Sequence, residues 1–266
     1  DTGMVLKCVE PIWNEKTTTA KRVLGRIRNI LDWAKIRGYR TGENPANWDG
    51  HLDKVLPAPG KVATVEHHPA LPYAEVGEFF KQLHDEDDTR ADLMEFLILT
   101  ALRASEVRMA QWDEFNMDAG LWIVPAERMK AGKEHWVPLS SRCLEILRSL
   151  KANKPEGNNY VFPGRRDKPL GLSCFGQLLI KLGRDDITTH GFRSTFRDWA
   201  GETTAYPREV IEHALAHQLK DKVEAAYARG TLFEKRRRLM EDWAKFCATV
   251  RESSANVVPL QSSTAA

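Results

Sequence analysis

Between Gly50 and Pro72 the chain is interrupted by Pro57, Pro59, Gly60, Pro69 and Pro72, and no apolar periodicity runs through the stretch. Proline fixes φ and removes an amide donor, so neither a continuous helix nor a central strand can pass through such a segment. The break divides the 266 residues into a short leading part and a much longer trailing part. The expected layout is a leading part over 1–55, a linker over 56–72, a main domain over 73–252 and a disordered tail over 253–266. Some fifty residues are too few to bury a core comfortably. The leading part is therefore expected to be the remainder of a larger helical domain, with the chain beginning partway through a longer protein.

Within the leading part, Val23, Leu24, Ile27, Ile30, Leu31 and Ala34 recur at helical spacing from Thr17 to about Tyr39. Lys21, Arg22, Arg26, Arg28 and Arg37 lie mostly off that stripe, which predicts one basic amphipathic helix. In the main part, Tyr73–Leu83 and Asp92–Leu102 read as helices, the second carrying Leu93, Phe96, Leu97, Ile98 and Leu99. Leu121–Pro125 and His135–Leu139 read as short strands joined by a long hairpin loop over Ala126–Glu134, and Tyr160–Phe162 as a further strand. Helices are expected again near Thr189–Ala200, from Pro207 and from Thr231, where Thr231-Leu232-Phe233-Glu234 has the form of a capping box. The last helix carries Leu239, Met240, Trp243, Phe246 and Cys247 on one side, a stripe suited to packing on this domain or on a neighbour. The fold class is mainly α with a small antiparallel β-sheet.

With 42% hydrophobic and 29% charged residues the chain reads as globular. No stretch reaches the roughly 20 consecutive apolar residues of a membrane span, and Asp1-Thr2-Gly3-Met4 lacks the layout of a signal peptide, so a cytoplasmic, nucleoid-associated protein without a membrane partner is expected. Cys8, Cys143, Cys174 and Cys247 form no CxxC pair, which argues against a zinc ribbon or a disulfide framework. A net charge of +2 alone would not suggest a polyanionic partner. The distribution says more, because basic residues gather at 21–40, 128–133, 165–166 and 235–238 while acids concentrate elsewhere, as at 85–88.

In Thr189-His190-Gly191-Phe192-Arg193-Ser194-Thr195-Phe196-Arg197, helical spacing places His190, Arg193 and Arg197 on one face, opposite Phe192, Phe196 and Trp199. A surface helix could show the same pattern, and a short motif alone has a high false-positive rate. It acquires company from Arg103 in Leu102-Arg103-Ala104-Ser105-Glu106, from Lys130 in Met129-Lys130-Ala131-Gly132-Lys133-Glu134, and from Leu215-Ala216-His217 followed by Glu224-Ala225-Ala226-Tyr227. A planar, permanently charged guanidinium grips phosphate oxygens with paired hydrogen bonds, so two arginines can take the place of a metal at a phosphodiester. His213 and His217 have the i, i+4 spacing of a helical zinc pair, yet no Glu follows the first His and no third ligand is evident, so no metal is expected. His67-His68 is weaker still as a metal pair.

In the order Arg, Lys, His-x-x-Arg, His, Tyr, and in the stretches at 71–76, 137–140, 190–200 and 215–230, the sequence resembles the tyrosine recombinase family, in particular the prophage and genomic-island integrases. The resemblance implies a tyrosine recombinase catalytic fold preceded by part of a helical core-binding domain. It implies a site-specific recombinase that integrates or excises a mobile element through a covalent 3′-phosphotyrosyl intermediate, without metal, ATP or other cofactor. Carried over residue by residue, Tyr227 is the nucleophile, Arg103 and Arg193 clamp the phosphate, His190 and His217 donate or handle protons, and Lys130 is the general acid. Glu106 would steady the site, and Lys133 competes locally for the role of Lys130. Arg22, Arg26, Lys133 and Arg197 are candidate DNA contacts. The implied partners are double-stranded attachment sites, three further copies of the chain in a tetramer on DNA, and accessory DNA-bending or directionality proteins. One departure stands out: the family often has Gly two residues before the first arginine, where this chain has Ala101. A type IB topoisomerase shares the residue logic but relaxes a single duplex, and a DNA-binding regulator with a decayed site would share only the fold; the subgroup resemblance and the filled catalytic positions favour the integrase.

Overall fold

A computed structural model describes residues 1–62, 68–217 and 232–250. The chain divides into two compact units, Asp1–His67 and His68–Ala266.

The first unit is helical. Helix α1 (Thr2–Val9), capped by the Asp1 carboxylate on Met4 N, packs against α2 (Thr17–Ile36), and a turn of helix, α3 (Pro59–Val62), follows. Val5, Val9, Trp13, Ala20, Leu24, Ala46, Leu52 and Leu56 form its core. Trp13 stacks on Trp48 with centroids 5.5 Å apart and donates its indole N–H to the Pro57 carbonyl at 3.0 Å. The expected linker segment is thus tied down at its start. Helix α2 ends as a Schellman motif: Gly38 takes φ 74, its N–H reaches Lys35 O at 3.1 Å, and Tyr39 N reaches Ala34 O at 2.9 Å. The stripe predicted to be buried along α2 is only partly so. Leu24 is buried, but Ile30 is 63% exposed, because the short partner α1 covers only the beginning of the twenty-residue helix. Arg22 and Arg26 are exposed on the same helix.

The second unit is mainly α with one small sheet. Helix α4 (Val76–His84) leads to α5 (Thr89–Thr100), which starts at an Asp88 cap and is buried on nearly every side. A helix apolar all round has to be central, and α5 accordingly touches α4, the short α6 (Ala104–Arg108) and most later helices. Strands β1 (Phe115–Asn116), β2 (Leu121–Val124) and β3 (His135–Pro138) form an antiparallel sheet in sequence order, with Trp122 opposite Val137. Strands β2 and β3 lie where the short segments carrying Trp, Ile and Val predict them. Two-residue β1 carries too little pattern to be read.

Tyr160–Phe162 is not a strand. It is held by single bridges, Gln111 to Tyr160 and Pro163 to Pro169, since Pro163 removes the donor that would extend a ladder. Helices α7 (Ser141–Ala152) and α8 (Ser173–Lys181) were not anticipated from the sequence, and α9 (Gly191–Thr203), α10 (Arg208–Ala214) and α11 (Phe233–Cys247) match the expected positions closely. The N-cap of α11 is Leu232, which offers no capping side chain; Thr231 of the expected capping box lies outside the described residues, as does the tail 253–266.

The stripe of α11 turns inward. Trp243 lies 4.8 Å from Trp199 and 5.5 Å from Phe196 between centroids, and its indole N–H is satisfied by Ile98 O at 2.9 Å. Gly77 lies where α4 meets the end of α11, and a Cβ there would collide with the Thr249 carbonyl. Among the described residues no helix is long and apolar enough to cross a membrane.

Candidate active site

The site is set by how α9 begins. The Thr188 hydroxyl accepts from Gly191 N at 3.1 Å, and the Pro69 carbonyl accepts from Thr188 N at 3.0 Å. One turn on, the Thr195 hydroxyl donates to Leu71 O at 2.6 Å. Residues 69–71 therefore cross the helix start so closely that Gly191 has no room for a Cβ against Pro69. His190, the residue before the helix, and Arg193, one turn in, are positioned by this crossing.

Arg193 is 5% exposed and engaged at both terminal nitrogens. Its guanidinium donates to the carbonyl of Ala101, to Leu215 O at 2.6 Å, and to Nε2 of His217 at 2.9 Å. Burial, then the neighbouring charge of Arg103, pushes its pKa down to about 10, offset in part by Glu106 and Glu212. It remains a cation at neutral pH.

Ala101 ends α5 in the left-handed region, φ 51 and ψ 22, and this reversal lets α6 start at Arg103. Glu106, 1% exposed, accepts from the Arg103 amide at 3.0 Å and from its guanidinium at 2.9 Å. The carboxylate thereby fixes both the backbone and the side chain of Arg103, the geometry of a steadying group.

On the other side, α10 closes into a turn at Leu215 and Ala216, and His217 N returns to Glu212 O at 3.0 Å. Glu212, 9% exposed, holds Nδ1 of His217 at 2.6 Å with one oxygen and Nε of Arg197 at 3.1 Å with the other. Burial works to raise the Glu212 pKa, but His217 and then Arg197 outweigh it and hold the carboxyl below its usual range. Arg197, read from the sequence as a DNA contact, is thus ion-paired within the protein, though its side chain is about half exposed.

His190 meets His68 edge-on, with centroids 4.9 Å apart. Its pKa is lowered by partial burial and then by Arg193, His68, Arg103 and His217. The sequence pattern had placed His190, Arg193 and Arg197 together; the fold aims Arg193 inward, leaves His190 at the surface, and ties Arg197 to Glu212.

Lys130 and Lys133 are both exposed on the connection between β2 and β3, and neither pairs with an acid among the described residues. The base of that connection is anchored, with Arg128 bonded to Glu114 and to the carbonyl of Glu106, and Met129 buried. Arg128, counted with the basic cluster in the sequence, is therefore a structural ion pair, and Lys130 stands two residues beyond it. Tyr227 lies outside the described residues.

Two groups near the site escaped sequence reading. Glu212 could have been noticed only from its place five residues before His217. His135, at the start of β3, is largely buried with Nε2 unpartnered among the described residues; burial, then Arg236, His213, Arg193 and Arg103, pushes its pKa down to about 3.

Two guanidiniums and two imidazoles thus converge, with Glu106 and Glu212 behind them. Such a cluster fits an oxyanion of tetrahedral or trigonal-bipyramidal phosphorus, whose developing charge fixed donors stabilise without reorganisation.

The second unit's helices and three-stranded sheet are those of the tyrosine recombinase catalytic fold. A lambda integrase (75–356) dimer bound to a COC' core site superposes with a TM-score of 0.60 over 82% of this chain and 79% of that one, at 16% identity. A lambda integrase tetramer bound to a Holliday junction gives a TM-score of 0.60 over 84% and 63%, at 17% identity. Residues 71–231 match the phage integrase family and residues 1–51 the phage integrase central domain, and the chain belongs to the phage integrase family. Prophage integrase IntZ of Escherichia coli (strain K12) is 33% identical over 242 residues, covering 89% of this chain and 57% of that protein. The integrase of Enterobacteria phage P4 is 30% identical over 248 residues, covering 86% and 54%. The chain spans about half the length of these curated relatives.

Proposed function

We propose that this chain carries the strand-breaking and rejoining site of a site-specific DNA recombinase, with Tyr227 as nucleophile. The observation that carries the reading is the approach of Arg193 to both His217 Nε2 and the Ala101 carbonyl, two residues before the Glu106-braced Arg103. Membership of the phage integrase family supports it.

In this reading the scissile phosphate sits between Arg103 and Arg193. The Tyr227 oxygen attacks phosphorus and passes its proton to His190 or His217, the bond to the 5′ oxygen breaks, and a 3′-phosphotyrosyl ester forms. Lys130, exposed beyond the anchored base of its loop, reaches in to protonate the leaving oxygen. His190 and His217 handle further protons or donate to the nonbridging oxygens. The ester conserves the energy of the broken bond, so a different 5′ hydroxyl reverses the step without ATP or metal. The domain assignment that follows is a core-binding part over 1–55 and a catalytic part over 73–252. Arg22, Arg26 and Lys133 contact phosphates, four protomers act on two attachment duplexes in the cytoplasm, and accessory DNA-bending or directionality proteins set the direction.

Nicked duplexes from candidate attachment sites, mixed with the protein and run on a denaturing gel, test the reading. An adduct absent from Tyr227→Phe is expected. An adduct that persists in Tyr227→Phe, or a DNA affinity that barely changes with salt, would overturn it.

A further inference from the structure

His217 has two ring nitrogens and both are occupied. Nε2 faces the Arg193 guanidinium at 2.9 Å, and Nδ1 faces the Glu212 carboxylate at 2.6 Å. A guanidinium has no acceptor, so Nε2 must present its lone pair; an ionised carboxylate has no donor, so Nδ1 must carry the hydrogen. The two neighbours together select one tautomer. Each partner can play only one role, so the selection is unambiguous.

Glu212 is itself held from two further directions. Its second oxygen is occupied by Arg197 Nε at 3.1 Å, and its carbonyl accepts the His217 amide at 3.0 Å. The carboxylate cannot turn away from the ring without breaking the Arg197 pair, and the backbone bond closes the turn that carries the ring. At 9% exposure it is also shielded from competing water. Bonds on both sides of a carboxylate give a histidine one orientation, as an orienting acid does for a catalytic imidazole.

We propose that Glu212, anchored by Arg197, is a positioning residue that holds His217 as the Nδ1–H tautomer, with the Nε2 lone pair turned toward the arginine pair of the phosphate site. The assignment rests on the recombinase reading for its effect on rate, but the tautomer is a property of the protein alone. When a phosphate replaces Nε2 as the partner of Arg193, the ring is left with a free lone pair at the reacting centre. A proton taken there makes an imidazolium whose charge the Glu212 carboxylate balances. Without the carboxylate the ring can rotate or take the opposite tautomer, whose Nε2–H would point at the Arg193 donors.

The test uses the full chain with ¹⁵N-labelled histidine, the His217 signals being assigned by their loss in His217→Gln. The wild type should show a pyrrole-like Nδ1 and a pyridine-like Nε2. Glu212→Gln keeps the shape, but its amide can donate to Nδ1; the His217 pattern should shift toward the other tautomer. Single-turnover cleavage of saturating nicked duplex should fall about ten- to a hundredfold in Glu212→Gln, by analogy with carboxylates that orient metal-bound histidines. DNA affinity should stay within about twofold, and Glu212→Asp should recover part of the rate. An Nε2–H tautomer in the wild type overturns the proposal, as does a folded Glu212→Gln that cleaves at the wild-type rate. If the wild type forms no adduct at all, the recombinase reading fails, and the nitrogen spectra still decide the role of Glu212.

Discussion

The Arg193 guanidinium donates to the carbonyl of Ala101, a residue held in the left-handed region at φ 51. The bond joins α9 to the turn that precedes Arg103, so the two arginines are registered through one peptide unit. A Cβ in that conformation is disfavoured by roughly 1–2 kcal/mol. Ala101→Gly removes the clash but adds unfolded-chain entropy, and the net expectation is a gain of about 0.5–1 kcal/mol in urea unfolding with cleavage unchanged. Ala101→Val should lose stability and slow cleavage together, because a β-branched residue tolerates the turn still less. Equal stability of the three proteins would show that the turn is not strained.

Glu106 braces Arg103 from a fully buried position. Glu106→Ala leaves the Arg103 amide and guanidinium without that partner and should cost about 1–3 kcal/mol. Arg193→Lys keeps a charge but not the fork of donors, and should lower single-turnover cleavage by about 10²–10³ while DNA affinity changes little. Gel-based cleavage beside a filter-binding isotherm separates the two effects. A rate close to wild type in Arg193→Lys would remove Arg193 from the phosphate clamp.

At Gly191 the carbonyl of Pro69 occupies the space a Cβ would need. All three atoms crowding that position, the Pro69 carbonyl oxygen and carbon and the Ala70 Cα, are backbone, so the segment 69–71 that crosses α9 has to move. Gly191→Ala is expected to lower stability by about 1–3 kcal/mol, with a melting midpoint several degrees lower. Gly25, half-buried in α2 with nothing within 4 Å of its Cβ position, provides the control: Gly25→Ala should hold or raise the midpoint.

His135 is kept neutral by burial, and by Arg236, His213, Arg193 and Arg103 around it, with its pKa pushed down from 6.5 to about 3. A histidine with a depressed folded pKa contributes its full stability above the unfolded value and loses it as pH falls toward the folded one. Unfolding free energy should therefore drop between about pH 6.5 and pH 3, at up to about 1.4 kcal/mol per pH unit from this group. His190 and His213 are lowered as well and act with the same sign, so His135→Leu should flatten the dependence without abolishing it. Urea titrations at pH 7, 6 and 5 decide the matter, and an unchanged slope in His135→Leu would assign the acid sensitivity elsewhere.

Local pattern was enough to place α2, α9 and α11, which carry a one-sided apolar stripe. It also placed α5, a dense apolar run too long for a strand, and β2 and β3, short runs rich in Trp, Ile and Val. The order of Arg103, Lys130, His190, Arg193, His217 and Tyr227 was enough to point to the family, since a set of reactive side chains in fixed order survives without any knowledge of distances. Strand β1 was too short to show a period, and the strand expected at Tyr160–Phe162 failed because pairing needs a partner edge that the local pattern does not reveal. The same limit applies at the site. Arg197 and Arg128 look like free cations in the sequence, yet Glu212 and Glu114 neutralise them from positions fifteen and fourteen residues away. Whether a charge faces solvent, a phosphate or a buried acid depends on where distant segments cross. Residues 69–71 laid over α9, Ala101 turned under Arg193, and Glu212 set behind His217 are such crossings, and three-dimensional packing alone decides them.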